Sequence, residues 1–390
     1  MPRLSGFSKP FAALAAAAFF IGATAWSGHM LTLLLLLALP ILFKHCPNTQ
    51  TRLTLLFCYY AGSIWQVMPG SAQFFGPDAE LHPLSILILW LVSSAVLTAP
   101  WLWLIFAKDK SAAWVFPIGL CITAMLPTGV TNPLTVAGVL FPGLAWAGLA
   151  ITIVSFGTIA DYPRRTFAAI IILAAICYVS HPHPATTHGI WEGHQTQLGG
   201  TVITRETPQQ LYRAVSYVQA SAIESKASFQ VYPEAIISHW TPIADEFWSD
   251  TFQSLRDNHQ TILFGVEQNT GRRGQYLNKL LIRGAYTATY QQRVPIPYAM
   301  WRPWDHRGVP LNYFGASTIT LGPWRAAPVI CYEQLLVAPV LISMAHDPNV
   351  IVSVANDYWT NGTSIAAIQE SAITSWSRLF RVPIIMATNR

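Results

Sequence analysis

The apolar and polar positions of this chain change pattern near residue 181. Before it, apolar stretches succeed one another at about 11–27, 30–43, 53–68, 84–106, 113–127, 134–157 and 166–180, with short polar connections between them. A membrane-spanning helix needs about 20 predominantly apolar residues, within a range near 17–25. The fourth and sixth stretches meet that length readily. The first two are short and parted only by Ser27-Gly28-His29, which predicts either a tight hairpin or a re-entrant pair. The competing reading of residues 1–30 is a cleaved signal peptide; against it, further spans follow and no small-x-small site closes the stretch.

After residue 182 the pattern alternates between helical and extended segments. Thr207 as N-cap, Pro208 in the first turn and Gln210 completing a capping box predict a helix running to about Ser225. Phe229–Tyr232 is a short strand that ends at Pro233-Glu234. A helix is predicted over Asp245–Asn258 and a strand over Thr261–Val266. A turn at Gly271–Gly274 leads into strands Tyr276–Ile282 and Thr287–Val294. Strands Ser317–Leu321 and Ala327–Ile330 flank a turn at Gly322-Pro323. Helix Ala338–Ala345, strand Val350–Val354, helix Ser364–Leu379 and strand Ile384–Met386 complete the chain. The predicted organisation is a polytopic α-helical membrane domain of about seven helices over residues 1–181, then an α/β domain over 182–390. Glu234, Cys331 and Asn356 each end a strand at a polar turn, where α/β folds place ligand and catalytic groups.

Composition agrees with this division. Of 390 residues, 52% are hydrophobic and 11% charged, against roughly 25% charged in an ordinary soluble domain. That excludes a disordered chain and a simple water-soluble globule. The net charge of +5 raises the question of an acidic partner such as nucleic acid. Its location answers the question. Residues 1–181 carry eight Lys or Arg and four Asp or Glu, whereas 182–390 carry 15 and 14, with no basic run longer than Arg272-Arg273. Clustered cations of a nucleic-acid face are missing, so no direct nucleic-acid binding is expected. Arg3, Lys9, Lys44, Arg52, Lys108, Lys110, Arg164 and Arg165 all fall in alternate connections, and the other connections hold none. The positive-inside rule makes their side cytoplasmic. Seven crossings then leave residue 182 onward outside, in the periplasm of a Gram-negative cell, and make the chain a multi-pass inner-membrane protein.

Cys46, Cys58, Cys121 and Cys177 lie in or beside apolar stretches, and Cys331 is alone in the exported part. A single unpaired cysteine in an oxidising compartment is either a buried inert thiol or a reactive one. His181, His183, His188 and His194 lack the spacing that organises metal ligands and read as a polar membrane-exit segment. No metal or cofactor is expected.

In Ala-Pro-Val-Ile-Cys331-Tyr-Glu333 a strand delivers a thiol to a turn. A thiolate nucleophile needs a base or a positive neighbour to form at neutral pH. Glu234 is the candidate base if apolar walls raise its pKa, and the developing oxyanion needs a donor such as Lys or backbone N–H groups. These motifs, in this order, resemble the nitrilase (carbon–nitrogen hydrolase) superfamily, which implies an αββα sandwich and a Glu, Lys and Cys triad. Tyr-Pro-Glu234-Ala and Val-Ile-Cys331-Tyr-Glu333 are similar to its Glu and nucleophile motifs. Apolar spans before such a domain, with Val354-Ala-Asn356-Asp357-Tyr-Trp359 and Ala387-Thr388-Asn389, resemble apolipoprotein N-acyltransferase. The conjugal transfer protein TraB family is more similar still, through Ile330–Leu336, Arg293–Pro297 with Met300–Trp304, and Ser375–Phe380.

The resemblance implies a cysteine-dependent acyltransferase or amidase, with membrane lipids and either lipoproteins or conjugation-machinery proteins as partners. Gln292 stands where the acyltransferase has its catalytic Lys, and Met300 where it has an auxiliary Glu. The exported part holds only Lys226 and Lys279. Lys279 fills the catalytic role only with its side chain turned inward; otherwise it is an ordinary strand lysine. Arg293 is an alternative cation whose high pKa prevents proton exchange. Glu333 is either a second carboxylate orienting groups in the site or part of a loop salt bridge. Arg378 either pairs with a site carboxylate or, the favoured reading, forms a structural or solvated ion pair. Trp240, Trp301 and Trp304 either cover a core or frame an acyl-chain portal at the membrane surface. Two functions remain open: acyl or amide transfer or hydrolysis through a Cys331 thioester, or a degenerate membrane-anchored assembly factor. An apolipoprotein N-acyltransferase proper is disfavoured by Gln292, Met300 and the absence of the acyltransferase's last strands and span. A Lys279 ammonium turned away from Cys331 favours the non-catalytic reading.

Overall fold

The computed structural model describes residues 9–75, 82–105, 112–181, 186–187, 189–199 and 207–390. Arg3, Lys108, Lys110, His183 and His188 lie outside them. The chain divides into two compact units, one of Met1–Ala72, Pro77–His183 and Thr363–Arg381, the other of Gln73–Gly76, Pro184–Gly362 and Val382–Arg390. The division is therefore not a single cut near residue 181.

The first unit contains helices α1 (Lys9–Ala25), α2 (Leu39–Lys44), α3 (Thr49–Ser63), α5 (Pro83–Thr98), α6 (Ala112–Ala124), α7 (Ala137–Leu140), α8 (Ala145–Thr158) and α9 (Pro163–Ser180), joined in part by 3₁₀ segments, with α4 (Val67–Phe75) beginning in it and ending in the second. Among the described residues two helical runs, Pro83–Ile105 and Pro163–Ser180, are long and apolar enough to cross a membrane. The other apolar helices are shorter. The predicted 134–157 stretch is broken between α7 and α8 at Phe141–Leu144, where Pro142 supplies no N–H and Gly143 adopts φ +81°.

Facing glycines bring α1 and α3 together. A Cβ on Gly62 would stand 2.0 Å from the Phe19 carbonyl oxygen, and one on Gly22 2.3 Å from that of Tyr59. Small residues permit this approach where dispersion and close packing hold helices together. Two buried aromatic tips are linked in a chain: Trp26 Nε1 donates to the Tyr59 hydroxyl (3.0 Å), which donates to the Thr131 carbonyl (2.6 Å).

The second unit has two sheets. The five-stranded sheet runs β1 (Trp191–Gly193), β2 (Phe229–Val231), β3 (Thr261–Asn269), β4 (Tyr276–Gly284) and β5 (Ala288–Gln291), parallel from β1 to β3 and antiparallel from β3 to β5. The four-stranded sheet runs β6 (Ile319–Leu321), β7 (Trp324–Ile330), β8 (Val350–Asn356) and β9 (Ile384–Asn389), with β7, β8 and β9 parallel. Strand alternation sorts the side chains. Leu263 of β3 joins Val231, Leu280, Ile330, Val352 and Ala387 in a core between the sheets. Its neighbours Ile262 and Phe264 pack outward against helices α10 (Pro208–Glu224) and α12 (Ser249–Asp257). The predicted helix over 245–258 is two pieces, α11 (Pro242–Phe247) and α12, with Trp248 buried at the joint. Helix α13 (Val337–Met344) follows β7, and the layers form an αββα arrangement. Helix α14 (Ile365–Phe380) leaves the sheet after β8 and belongs to the first unit, where a Cβ on Gly138 of α7 would meet the Ser375 carbonyl oxygen at 1.7 Å.

Gly62→Ala is expected to force α1 and α3 apart and destabilise the protein by about 1–3 kcal/mol, the scale of overpacking a tight contact. A lowered thermal midpoint of the purified chain, against an unchanged one for an exposed Ala substitution, checks this.

Candidate active site

The carboxyl ends of parallel strands β2, β7, β8 and β9 converge on a cavity of about 430 Å³ in the second unit. After β2 the chain turns through Tyr232-Pro233-Glu234, and Ala235 takes a left-handed φ of 46°. This turn lies directly on β3 at Gly265. A Cβ there would stand 2.3 Å from the Ala235 nitrogen and 2.5 Å from the Glu234 Cα. Glycine at 265 is thus what allows Glu234 to reach its place.

Cys331 follows the last residue of β7 and adopts φ 49°, a conformation costly for a residue with a side chain. The buried carboxylate of Glu333 holds the elbow. Its Oε2 accepts from the Ile330 N–H at 2.9 Å, and its Oε1 accepts from the N–H groups of Arg293 and Val294 at 2.6 and 2.9 Å. Glu333 therefore braces backbone and makes no loop salt bridge among the described residues.

Glu234, Cys331 and Asn356 all line the cavity. The Glu234 carboxylate is 5% exposed and is hydrogen-bonded to the Cys331 side chain. It also accepts from Asn278 Nδ2 at 2.6 Å and from the Asn356 N–H at 3.1 Å. Burial pushes its carboxyl up to about 7, with these hydrogen bonds opposing the rise. Asp357 is likewise pushed up to about 7 by burial, opposed by the Arg390 charge. Asn389 Nδ2 donates to Asn356 Oδ1 at 2.9 Å, while its own Oδ1 accepts from Thr196 and the Leu198 N–H, which ties the ends of β8 and β9 together.

Gln292 and Asn278 form a neutral bridge between Glu234 and the end of β7. Asn278 Nδ2 donates to Gln292 Oε1 at 3.0 Å, and Gln292 Nε2 donates to the Ile330 carbonyl at 3.2 Å. Lys279, one residue along β4, points to the opposite face and donates to Gln268 Oε1 at 2.7 Å. It does not line the cavity. Arg293 is fully buried and donates to the Tyr290 hydroxyl, the Pro339 carbonyl and Ser343 Oγ, away from Cys331. Arg302 and Arg307 do line the cavity and are both paired with Asp305, at 3.9 and 2.7 Å.

The remaining expectations resolve individually. Arg378 lies over the Tyr178 ring in the first unit, as a cation–π contact rather than a solvated ion pair. Trp240 is 4% exposed and packs against Trp248 and Phe264, so it belongs to the core and not to a surface portal. Trp301 is half-buried and Trp304 is 68% exposed beside Tyr298. Asn278 received no weight from the sequence because a neutral amide beside a lysine is inconspicuous. Strand alternation was the available signal: Asn278, not Lys279, shares a face with Leu280 of the inter-sheet core.

Comparison with known proteins places this geometry. The carbon–nitrogen hydrolase family profile matches residues 278–378, a segment holding Asn278, Gln292, Cys331 and Asn356 but not Glu234. The chain is 30% identical to a probable conjugal transfer protein TraB of Sinorhizobium fredii over 394 residues, covering 96% of this chain and 97% of that one. The chain belongs to the conjugal transfer protein TraB family. The TraB of Agrobacterium fabrum is 30% identical over 95% of this chain and 90% of its own. An apolipoprotein N-acyltransferase of Photobacterium profundum is 22% identical over 78% of this chain and 60% of its own. A nitrilase-superfamily amidase from Nesterenkonia has 13% identity over 51% of this chain and 74% of its own, with a TM-score of 0.35. This member of the TraB family thus carries a nitrilase-like α/β unit.

Because Glu234 must be ionised to accept the thiol proton, the reactivity of Cys331 toward iodoacetamide is expected to rise with pH through about 7. In Glu234→Gln that step disappears and reactivity climbs only toward the ordinary thiol range near about 8.5. Peptide-resolved alkylation rates between pH 5.5 and 9 distinguish the two profiles. Gly265→Ala is expected to displace the Glu234 turn and give the same profile as Glu234→Gln.

Proposed function

We propose that the second unit performs acyl or amide transfer, or hydrolysis, through a thioester on Cys331, in the service of plasmid conjugation. The observation that carries this reading is the hydrogen bond between Cys331, held at a strained elbow, and the buried carboxylate of Glu234 within one cavity. Strain at a braced position supports a functional thiol over an inert one. Glu234 takes the thiol proton as sulfur bonds to the acyl carbon. The bond to the leaving oxygen or nitrogen then breaks, and that atom takes the proton from Glu234. An amine or water adds to the thioester and releases the cysteine as a thiol. The Asn278 and Gln292 amides stand where a lysine is expected, and their donors are engaged by Glu234, by each other and by the Ile330 carbonyl, so they fix the geometry of the site.

The setting we infer is a multi-pass membrane protein with a cytoplasmic N-terminus and a periplasmic second unit. The charge asymmetry of the connections supports it. So does the apolar exterior of the first unit, where Phe20, Leu31, Ile105, Ile171 and Val179 are 60–81% exposed. Such a surface is costly in water and stable against lipid.

The turned-away Lys279 and the neutral Gln292 favour a second reading, in which the site is inactive and the unit is an assembly factor. Incubation of the full chain with membranes is expected to add an acyl mass to Cys331, and Cys331→Ala is expected to lose the adduct and lower transfer frequency by about 100-fold or more, on the scale of a deleted nucleophile. Unchanged transfer with Cys331→Ala, together with loss on disrupting the Trp301–Trp304 loop, establishes the second reading instead.

A further inference from the structure

A groove of about 580 Å³ runs between α8 and α9 in the first unit. Its walls are aliphatic, with Ile151 and Val154 facing Ile170 and Leu173, and one end is closed by Tyr162 and Arg165. A second hollow, lined by Tyr162, Pro163, Arg164 and Arg165, adjoins that end. Both arginines are exposed. Neither has an acidic partner among the described residues, because the neighbouring Asp161 is engaged by Lys44 at 2.7 Å. The Thr158 and Thr166 hydroxyls bond to each other at 3.2 Å just inside the arginine end.

The layout is amphipathic along one axis. At about 1.5 Å of rise per residue, Ala150 to Thr158 covers about 12 Å of groove. One leaflet is half of a hydrocarbon core about 30 Å thick, so the groove matches most of one acyl chain. Guanidinium groups present a planar fork suited to phosphate oxygens, and cationic pockets between membrane helices favour anionic headgroups. A soluble phosphate has no use for the aliphatic walls, and a zwitterionic lipid gains less from two unpaired cations.

We propose that this groove binds one anionic phospholipid of the cytoplasmic leaflet, its phosphate on Arg164 and Arg165 and one acyl chain between α8 and α9. This rests on the membrane orientation inferred above. The site is independent of the Cys331 chemistry.

The test uses the full chain in nanodiscs of phosphatidylglycerol and phosphatidylcholine in equal amounts, with retained lipid read by native mass spectrometry after extraction. Phosphatidylglycerol is expected to be retained at least ten-fold over phosphatidylcholine. The R164Q/R165Q variant is expected to lose that preference. Val154→Trp, which fills the groove and leaves both arginines, is expected to lower phosphatidylglycerol retention at least five-fold. Equal retention of the two lipids by the unaltered chain, or preference undiminished in both variants, overturns the proposal. Complete competition by glycerol phosphate overturns it in favour of a soluble phosphate site. Labelling of Cys331 by a membrane-impermeant maleimide in intact spheroplasts, measured on the same variants, separates failure of the orientation from failure of the lipid site.

Discussion

The site depends on a carboxylate that never faces the cavity. Glu333 collects three backbone N–H groups from two segments, the end of β7 and the stretch after β5, and so clamps the left-handed backbone at Cys331. A single φ of 49° at a non-glycine residue is unfavourable alone. Three hydrogen bonds to one buried charge are stronger than neutral ones and have no competing water. The elbow persists because leaving Glu333 unpaired in the interior would cost more than the strain.

Glu234 answers from the opposite sheet. The Gly265 surface lets its turn sit on β3, and Asn278 and the Asn356 N–H hold its two oxygens. The unusual element is the neutral pair Asn278 and Gln292. A lysine in this position would lower the carboxyl pKa and stabilise a thiolate by charge. Two amides fix geometry and leave burial to dominate, which is why Glu234 stands near 7 rather than in the ordinary carboxylate range. The cavity therefore sets a carboxyl raised by burial beside two neutral amides, where the family resemblance implies a lysine.

In the first unit the controlling constraint is contact between backbones. Gly22 and Gly62 remove the side chains that would keep α1 and α3 apart, and Gly138 does the same for α7 against α14. Aromatic residues fill much of the rest, and the polar tips of Trp26 and Tyr59 are bonded inward. Many large apolar side chains of the unit, Phe20, Leu31, Ile105, Ile171 and Val179 among them, face outward.

Local pattern carried much of the second unit. The capping box at Thr207, the strands around Phe229, Thr261, Tyr276 and Val350, and the strand-end positions of Glu234, Cys331 and Asn356 are all readable because period-two burial and capping chemistry are local. Lengths in the first unit were less legible, since Pro142 and Gly143 break an apolar stretch that composition alone joins. The direction of Lys279 and the brace made by Glu333 were decided by tertiary structure, because each depends on which sheet face meets which partner strand. The same holds for α14, which the chain pattern assigns to the α/β domain and packing assigns to the first unit. What the sequence determined by itself was the charge layout, the strand ends and the motif order. Which groups hold Glu234 was settled only when distant strands closed on one another, since hydrogen bonds between residues 44 and 122 positions apart in the chain leave no local trace.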